Sequence, residues 1–170
     1  AAAANGTYFQ LSHVLGVDRD LGSKKCIGKY QYRVEESSFV TEDTKNIGDS
    51  MKMVEGVYVL NKDVKVLAEK EGTPVITMNT FGKGCAMYLS SFRFSLESTR
   101  FLMRAICQVS QNTKAMDLYI CDNLNTECAY YPAIDKLVVI NNTGDEQKAV
   151  IETEKGKVEV TLKPFATHIQ

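Results

Sequence analysis

Residues 74–92, PVITMNTFGKGCAMYLSSF, constrain the fold more than any other stretch. Two strand-like runs, Pro74–Asn79 and Cys85–Ser90, flank Thr80–Gly84. Gly82 and Gly84, with Lys83 between them, could suggest a phosphate cradle. A phosphate-binding loop of the G-x-x-x-x-G-K-[ST] kind leads from a strand into a helix, so that backbone N–H groups and the helix N-terminus meet the anion. Here a second strand-like run follows the glycines. The stretch therefore predicts a β-hairpin with both glycines at positive φ, and a structural role for the loop.

The surrounding segments extend this pattern. Gly56–Leu60 and Val64–Ala68 read as strands around the turn-prone Asn61-Lys62-Asp63, and Glu71-Gly72-Thr73 punctuates the chain before Pro74. Earlier, Tyr8, Leu11, Val14 and Leu15 predict one apolar helix face, with Gly16 as its stop. Residues 24–50 are polar and irregular, with short extended pieces at Tyr30–Val34 and Ser38–Val40. At Ser95 the period changes. Leu96, Thr99, Leu102, Met103, Ile106 and Val109 predict a buried helical stripe, with Ser95 as N-cap and Glu97 in the first turn. Ser110–Lys114 is polar and marks a domain boundary. Beyond it the chain reads as all-β. Its expected strands are Asp117–Cys121, Thr126–Tyr131, Lys136–Ile140, Lys148–Thr153, Lys157–Leu162 and Phe165–Ile169, with turns at Asn141–Asp145 and Glu154-Lys155-Gly156.

Composition narrows the classes. The 170 residues are 44% hydrophobic and 24% charged with net charge −1, which fits a soluble globular protein and gives no electrostatic footprint for nucleic acid or an anionic membrane. The apolar runs, Leu137–Ile140 among them, are far too short to span a bilayer, so no membrane partner is expected. Cys26, Cys85, Cys107, Cys121 and Cys128 are odd in number and lack C-x-x-C spacing. They read as reduced thiols of a cytoplasmic protein. No metal site is expected from them and two histidines. In that compartment the sequons at Asn5-Gly6-Thr7 and Asn141-Asn142-Thr143 are chance matches. Ala1–Ala4, with no initiator Met, is set aside, and the chain is expected to be the tail of something longer.

No residue set makes a self-contained active site. His13 and His168 lack evident partners. Cys85 and Cys107 lack an activating base. Glu35-Glu36 and Glu42-Asp43 could suggest the paired carboxylates of glycosidic chemistry, but neighbours on a strand face opposite ways, and both pairs read as solvated loop. Tyr130-Tyr131 could form a sugar-stacking platform, or one ring could pack inward and the other face out. No catalytic, cofactor-binding or metal-binding residue is assigned, and no cofactor is expected.

Three stretches, taken in order, carry a resemblance. They are Gly6–Val17 (GTYFQLSHVLGV), Val75–Phe92 (VITMNTFGKGCAMYLSSF) and Val138–Thr143 (VVINNT). They resemble the C-terminal part of the galactosyl-β-1,3-N-acetylhexosamine phosphorylases, the lacto-N-biose or galacto-N-biose phosphorylases of glycoside hydrolase family 112. The middle stretch alone also resembles the trimerisation domain of family 42 β-galactosidases. The residue pattern by itself reads as α/β followed by β, and the first resemblance likewise implies an α/β plus all-β chain. Residues 5–112 would be the C-terminal half of a Rossmann-like, class I amidotransferase-like domain, and residues 113–170 a small antiparallel β domain. It implies reversible phosphorolysis with inversion, giving galactose 1-phosphate. The general acid and the sugar and phosphate contacts would lie on an N-terminal TIM-like barrel of the same protein. This chain would then be a non-catalytic scaffold with a possible role in forming a homo-oligomer. Alternatives are an accessory domain of a family 42-like β-galactosidase, or a carbohydrate-binding module using Tyr130 and Tyr131.

Overall fold

The computed structural model describes residues 8–20, 30–44 and 46–170. The chain divides into two units, Ala1–Gln111 and Asn112–Gln170.

In the first unit, α1 (Ser12–Leu15) leads into β1 (Val17–Arg19), which pairs antiparallel with β2 (Val57–Val59). Strands β3 (Lys65–Lys70), β4 (Thr73–Phe81) and β5 (Gly84–Leu89) form a second antiparallel sheet with β4 at its centre. A helix, α2 (Leu96–Val109), follows. The expectation of a Rossmann-like, amidotransferase-like half is therefore corrected: among the described residues every named strand pair is antiparallel. The physical reason is in the connections. Parallel neighbours need a crossover of a dozen or more residues, whereas β3–β4 and β4–β5 are closed by Glu71-Gly72 and Gly82-Lys83.

These turns follow from local chemistry. Gly82 has φ 59° and Lys83 does not adopt positive φ, the sign pattern of a type II′ hairpin, which wants glycine first. Gly84 is ordinary strand, so only one of the two glycines meets the positive-φ expectation. The α1 helix is shorter than the Tyr8–Leu15 pattern predicts, and Tyr8 and Leu11 are exposed. Its stop is as expected. Gly16 lies at φ 73°, and a Cβ there would come within 2.5 Å of Val64. Asn79 on β4 closes the helix end by donating from Nδ2 to the Val14 carbonyl at 2.9 Å.

Other local expectations shift as well. Ser38–Val40 is not extended: Phe39–Thr41 forms a 3-10 turn, capped by the Ser38 hydroxyl, which accepts from the Thr41 N–H at 3.2 Å. Tyr30–Val34 contributes only a bridge from Val34 to Val66, and Asp117–Cys121 only one from Cys121 to Ile151. The largest correction concerns α2. Ser95 caps it as predicted, accepting from the Ser98 N–H at 3.1 Å. The buried stripe, however, is Ser98, Phe101, Arg104 and Ala105, while Leu96, Met103 and Ile106 are exposed. Small Ser98 and Ala105 let the helix approach closely, and Phe101 fills the space among Val40, Ile47, Met51, Leu67, Val75 and Ile76.

The second unit is built from two antiparallel sheets. Strands β6 (Thr126–Tyr131), β7 (Lys136–Asn141) and β10 (Thr167–Ile169) run in the order β10-β7-β6, and β8 (Gln147–Thr153) pairs with β9 (Gly156–Leu162). Alternate residues from both sheets share one core: Leu137 and Val139 from β7, Ala149 and Ile151 from β8, Val160 and Leu162 from β9.

Candidate functional site

The residues weighed from sequence are dispersed. The Gly82-Lys83 turn is tied down by its own backbone, the Lys83 carbonyl accepting from Gln111 Nε2 at 3.1 Å. His13 packs its ring edge-on against Phe81 at 5.4 Å between centroids. His168 lies on β10 opposite Val139. Burial pushes the Cys85 thiol up, only partly offset by Lys65, so it is less ready to form the nucleophilic thiolate. The Asn5 sequon and Cys26 fall outside the described residues. The Asn141 sequon is closed. Asn141 is 1% exposed, and its Nδ2 donates to the carbonyls of Asp145 at 2.7 Å and Lys163 at 2.9 Å. Its Oδ1 accepts from the Thr143 N–H at 2.9 Å and hydroxyl at 2.8 Å.

Glu35 and Glu36 remain on an exposed segment, where Glu36 pairs with Arg33 at 2.5 Å. Glu42 and Asp43 do not read as a merely solvated pair. Asp43 Oδ2 accepts from Arg104 Nε at 2.7 Å and from Arg100 Nη1 at 3.2 Å, and Glu42 Oε2 lies 3.0 Å from Arg104 Nη1. Arg104 also donates to the Phe39 carbonyl at 3.2 Å and lies over the Phe39 ring. The sequence signal for this anchor is the i, i+4 spacing of Arg100 and Arg104 on one helix. Burial alone would raise the Asp43 pKa. The guanidiniums of Arg104 and then Arg100 outweigh it and hold the carboxyl below its usual range.

That shift has a definite sign for stability. A carboxylate with a depressed folded pKa contributes stability fully present above its unfolded value, ~3.9, and lost as pH falls through the folded value. Asp43→Asn is therefore expected to destabilise the first unit by about 2 kcal/mol near neutrality, discounted from a fully buried pair because the Asp43 side chain is 27% exposed and Glu42 remains on Arg104. Urea titrations at stepped pH check this. The gap between parent and variant should narrow as pH drops below ~4.

The most site-like cluster lies in the second unit. Tyr119 and Tyr130 stack face to face, centroids 4.1 Å apart and planes 2° from parallel. The Tyr130 hydroxyl donates to Asp135 Oδ1 at 2.9 Å, and Lys155 Nζ lies 2.5 Å from Asp135 Oδ2. The groups come from four places: the loop before β6, the end of β6, the β6–β7 turn and the β8–β9 turn. Tyr119 at φ 58° and Asp135 at φ 51° both occupy the left-handed region, a cost that non-glycine residues bear where surrounding structure fixes them. Cys128 Sγ donates to the Tyr119 carbonyl at 3.0 Å, and the Tyr119 N–H donates to the Glu152 carbonyl at 2.8 Å. The hydrogen bonds from Lys155 and then Tyr130 hold Asp135 below the usual carboxylate range. The Tyr130 phenol is pushed up to about 12, first by its bond to Asp135 and then by burial. These groups, with Leu137 and Val158, line a cavity of about 230 Å³. Tyr131, the neighbour singled out in the sequence, is 51% exposed and does not line it. Sequence reasoning missed Tyr119, Asp135 and Lys155; the one available signal was turn chemistry placing Asp135 and Lys155 in loops at strand ends.

Comparison with known proteins identifies the chain. Residues 1–114 match the family model of the lacto-N-biose phosphorylase central domain, and residues 119–170 match that of the lacto-N-biose phosphorylase C-terminal domain. A 1,3-beta-galactosyl-N-acetylhexosamine phosphorylase of Lachnoclostridium phytofermentans is 35% identical over 99% of this chain and 23% of its own length. A D-galactosyl-beta-1->4-L-rhamnose phosphorylase of the same organism is 34% identical over 89% of this chain and 20% of its own. A 1,3-beta-galactosyl-N-acetylhexosamine phosphorylase of Bifidobacterium longum subsp. longum is 26% identical over 91% of this chain and 24% of its own. The chain thus spans about a fifth to a quarter of the length of these relatives. With both domain models matched in order along nearly all of its length, the chain belongs to the lacto-N-biose phosphorylase family.

Proposed function

We propose that these 170 residues are the central and C-terminal domains of a longer phosphorylase. That enzyme would cleave a β-linked galactosyl disaccharide with phosphate and release galactose 1-phosphate with inversion. The observation that carries this reading is the ordered match to two domain models of one phosphorylase family. The finer substrate, β-1,3-galactosyl-N-acetylhexosamine, is supported by the names of two of the relatives; a third is named for a galactosyl-rhamnose. Galactose and phosphorolysis are common to all three.

We infer also that this part supports catalysis without performing it. Inverting cleavage needs an acid that is protonated beside the glycosidic oxygen. The two carboxylates held in clusters are already engaged: Asp43 is paired with Arg104 and Arg100, and Asp135 with Lys155 and the Tyr130 hydroxyl. The exposed α2 stripe of Leu96, Met103 and Ile106, with Phe94 at 85% exposure, supports a scaffold that meets the TIM-like barrel of the same polypeptide in a cytoplasmic homo-oligomer.

The test is a phosphorolysis assay. The longer polypeptide, given galactosyl-β-1,3-N-acetylglucosamine and inorganic phosphate, is expected to yield galactose 1-phosphate. The 170-residue chain alone is expected to yield none. Turnover by the short chain would overturn the scaffold role, and phosphate-independent release of free galactose by the long one would overturn phosphorolysis.

A further inference from the structure

We propose that the cavity bounded by Tyr119, Tyr130, Asp135 and Lys155 on the second unit binds one neutral pyranose ring.

Asp135 and Lys155 lie 2.5 Å apart and neutralise each other, so the side chains lining the cavity present no net charge for an anion or a cation to meet. Yet neither group is exhausted. A carboxylate has about four lone-pair sites, and Asp135 uses one on Tyr130 and one on Lys155. An ammonium has three donors, and Lys155 directs one to Asp135. What remains is a paired acceptor and donor fixed side by side. A vicinal diol is the complementary partner, because each hydroxyl can donate to the carboxylate while its oxygen accepts from the ammonium. Charge assistance makes such bonds stronger than those between neutral groups.

The walls agree with this. The stacked tyrosines, Leu137 and Val158 give an apolar boundary against which the C–H face of a sugar ring can lie. The Tyr130 ring cannot turn freely, since Tyr119 covers one plane and Asp135 holds its hydroxyl. Left-handed backbone at Tyr119 and Asp135 places both groups, so the site is built before a ligand arrives. Size sets the ligand to one ring. The 230 Å³ cavity holds the volume of about eight liquid waters and falls below the ~300–1,000 Å³ usual for larger ligands. A terminal sugar or a monosaccharide fits; an oligosaccharide does not.

The experiment titrates the isotope-labelled 170-residue chain with galactose, and separately with N-acetylglucosamine, and follows backbone amide shifts. At least one sugar is expected to bind saturably with Kd on the order of 1–10 mM, moving the amides of Tyr119, Tyr130, Asp135 and Lys155. Lys155→Met and Asp135→Asn are each expected to weaken binding at least ~10-fold, while Tyr131→Ala leaves it unchanged. The Lys155 side chain is 75% exposed, so Lys155→Met keeps the test valid if the Asp135 variant unfolds. No saturable shift with either sugar up to ~100 mM, the same shifts with glycerol, or shifts unaltered by Lys155→Met would overturn the proposal. None of these outcomes depends on galactose 1-phosphate formation, so this site and the phosphorylase reading can fail separately.

Discussion

Phe101→Ala is expected to cost the first unit about 4 kcal/mol of stability, read as a lower urea midpoint at an unchanged slope. Phe101 is 0% exposed and is the largest fully buried side chain among the described residues. It is the one large apolar residue on the buried face of α2, whose other members are Ser98, Arg104 and Ala105. Its ring joins the helix to Val75 and Ile76 on β4 and to the 3-10 turns around Val40 and Ile47. Truncation removes both the transfer free energy of the ring and the packing of its neighbours. Small residues beside it cannot expand into the void. A loss under ~1 kcal/mol would mean that α2 is held mainly through Arg104. Leu96→Ala, on the exposed face of the same helix, should change stability by no more than ~0.5 kcal/mol.

Asn141→Ala is expected to cost the second unit about 3 kcal/mol. Four hydrogen bonds of 2.7–2.9 Å converge on this one amide, joining the end of β7 to Thr143, Asp145 and Lys163. The carbonyls it satisfies lie where β8 begins and β9 ends, so the loss would fall on both sheets at one corner. Net values of ~0.5–1.5 kcal/mol per bond, less those that water can replace, give that figure. It is large for a unit of about 60 residues, whose whole stability is on the order of 3–9 kcal/mol. Asn141→Asp separates the roles: it keeps the acceptor for Thr143 and places a charge against two carbonyls. Amide-exchange protection across Ala149–Leu162 should collapse in both variants. Retained protection would show that the loop carbonyls find other partners.

The parts of this fold that could be read from the sequence are those decided by neighbouring residues. The hairpin at Gly82-Lys83 rests on a glycine that alone can begin that turn, and the start of α2 rests on Ser95 reaching its own first turn. What could not be read depends on partners far along the chain. The face of α2 was misassigned because Leu96, Met103 and Ile106 outweigh a single phenylalanine by count. Burial was instead decided by Arg104 finding Asp43 some 61 positions earlier. Strand β1 is three residues long and exists only through Val57–Val59. The Rossmann-like expectation came from family resemblance, and the residue pattern, which reads as α/β followed by β, did not oppose it; only the short turn at Gly82-Lys83 pointed to antiparallel pairing. The aromatic site was hidden for a similar reason. Tyr119 sits in a stretch that alternates like a strand, but its left-handed backbone turns the ring onto Tyr130.

The pairing of β1 with β2 carries a consequence for the order in which the first unit is made. Val17 leaves the ribosome some 40 residues before Val59, a delay of ~2–8 s at ordinary rates of synthesis. The cap that Asn79 places on α1 comes later still. The β3–β4–β5 meander needs no such wait, since each hairpin closes on the scale of microseconds once its second strand has emerged. Chain order and assembly order are thus inverted within this unit: α1 and β1 precede the meander in the chain but find their places after it. Until then the apolar side chains of Val17 and Leu15 stay open to whatever binds nascent polypeptides.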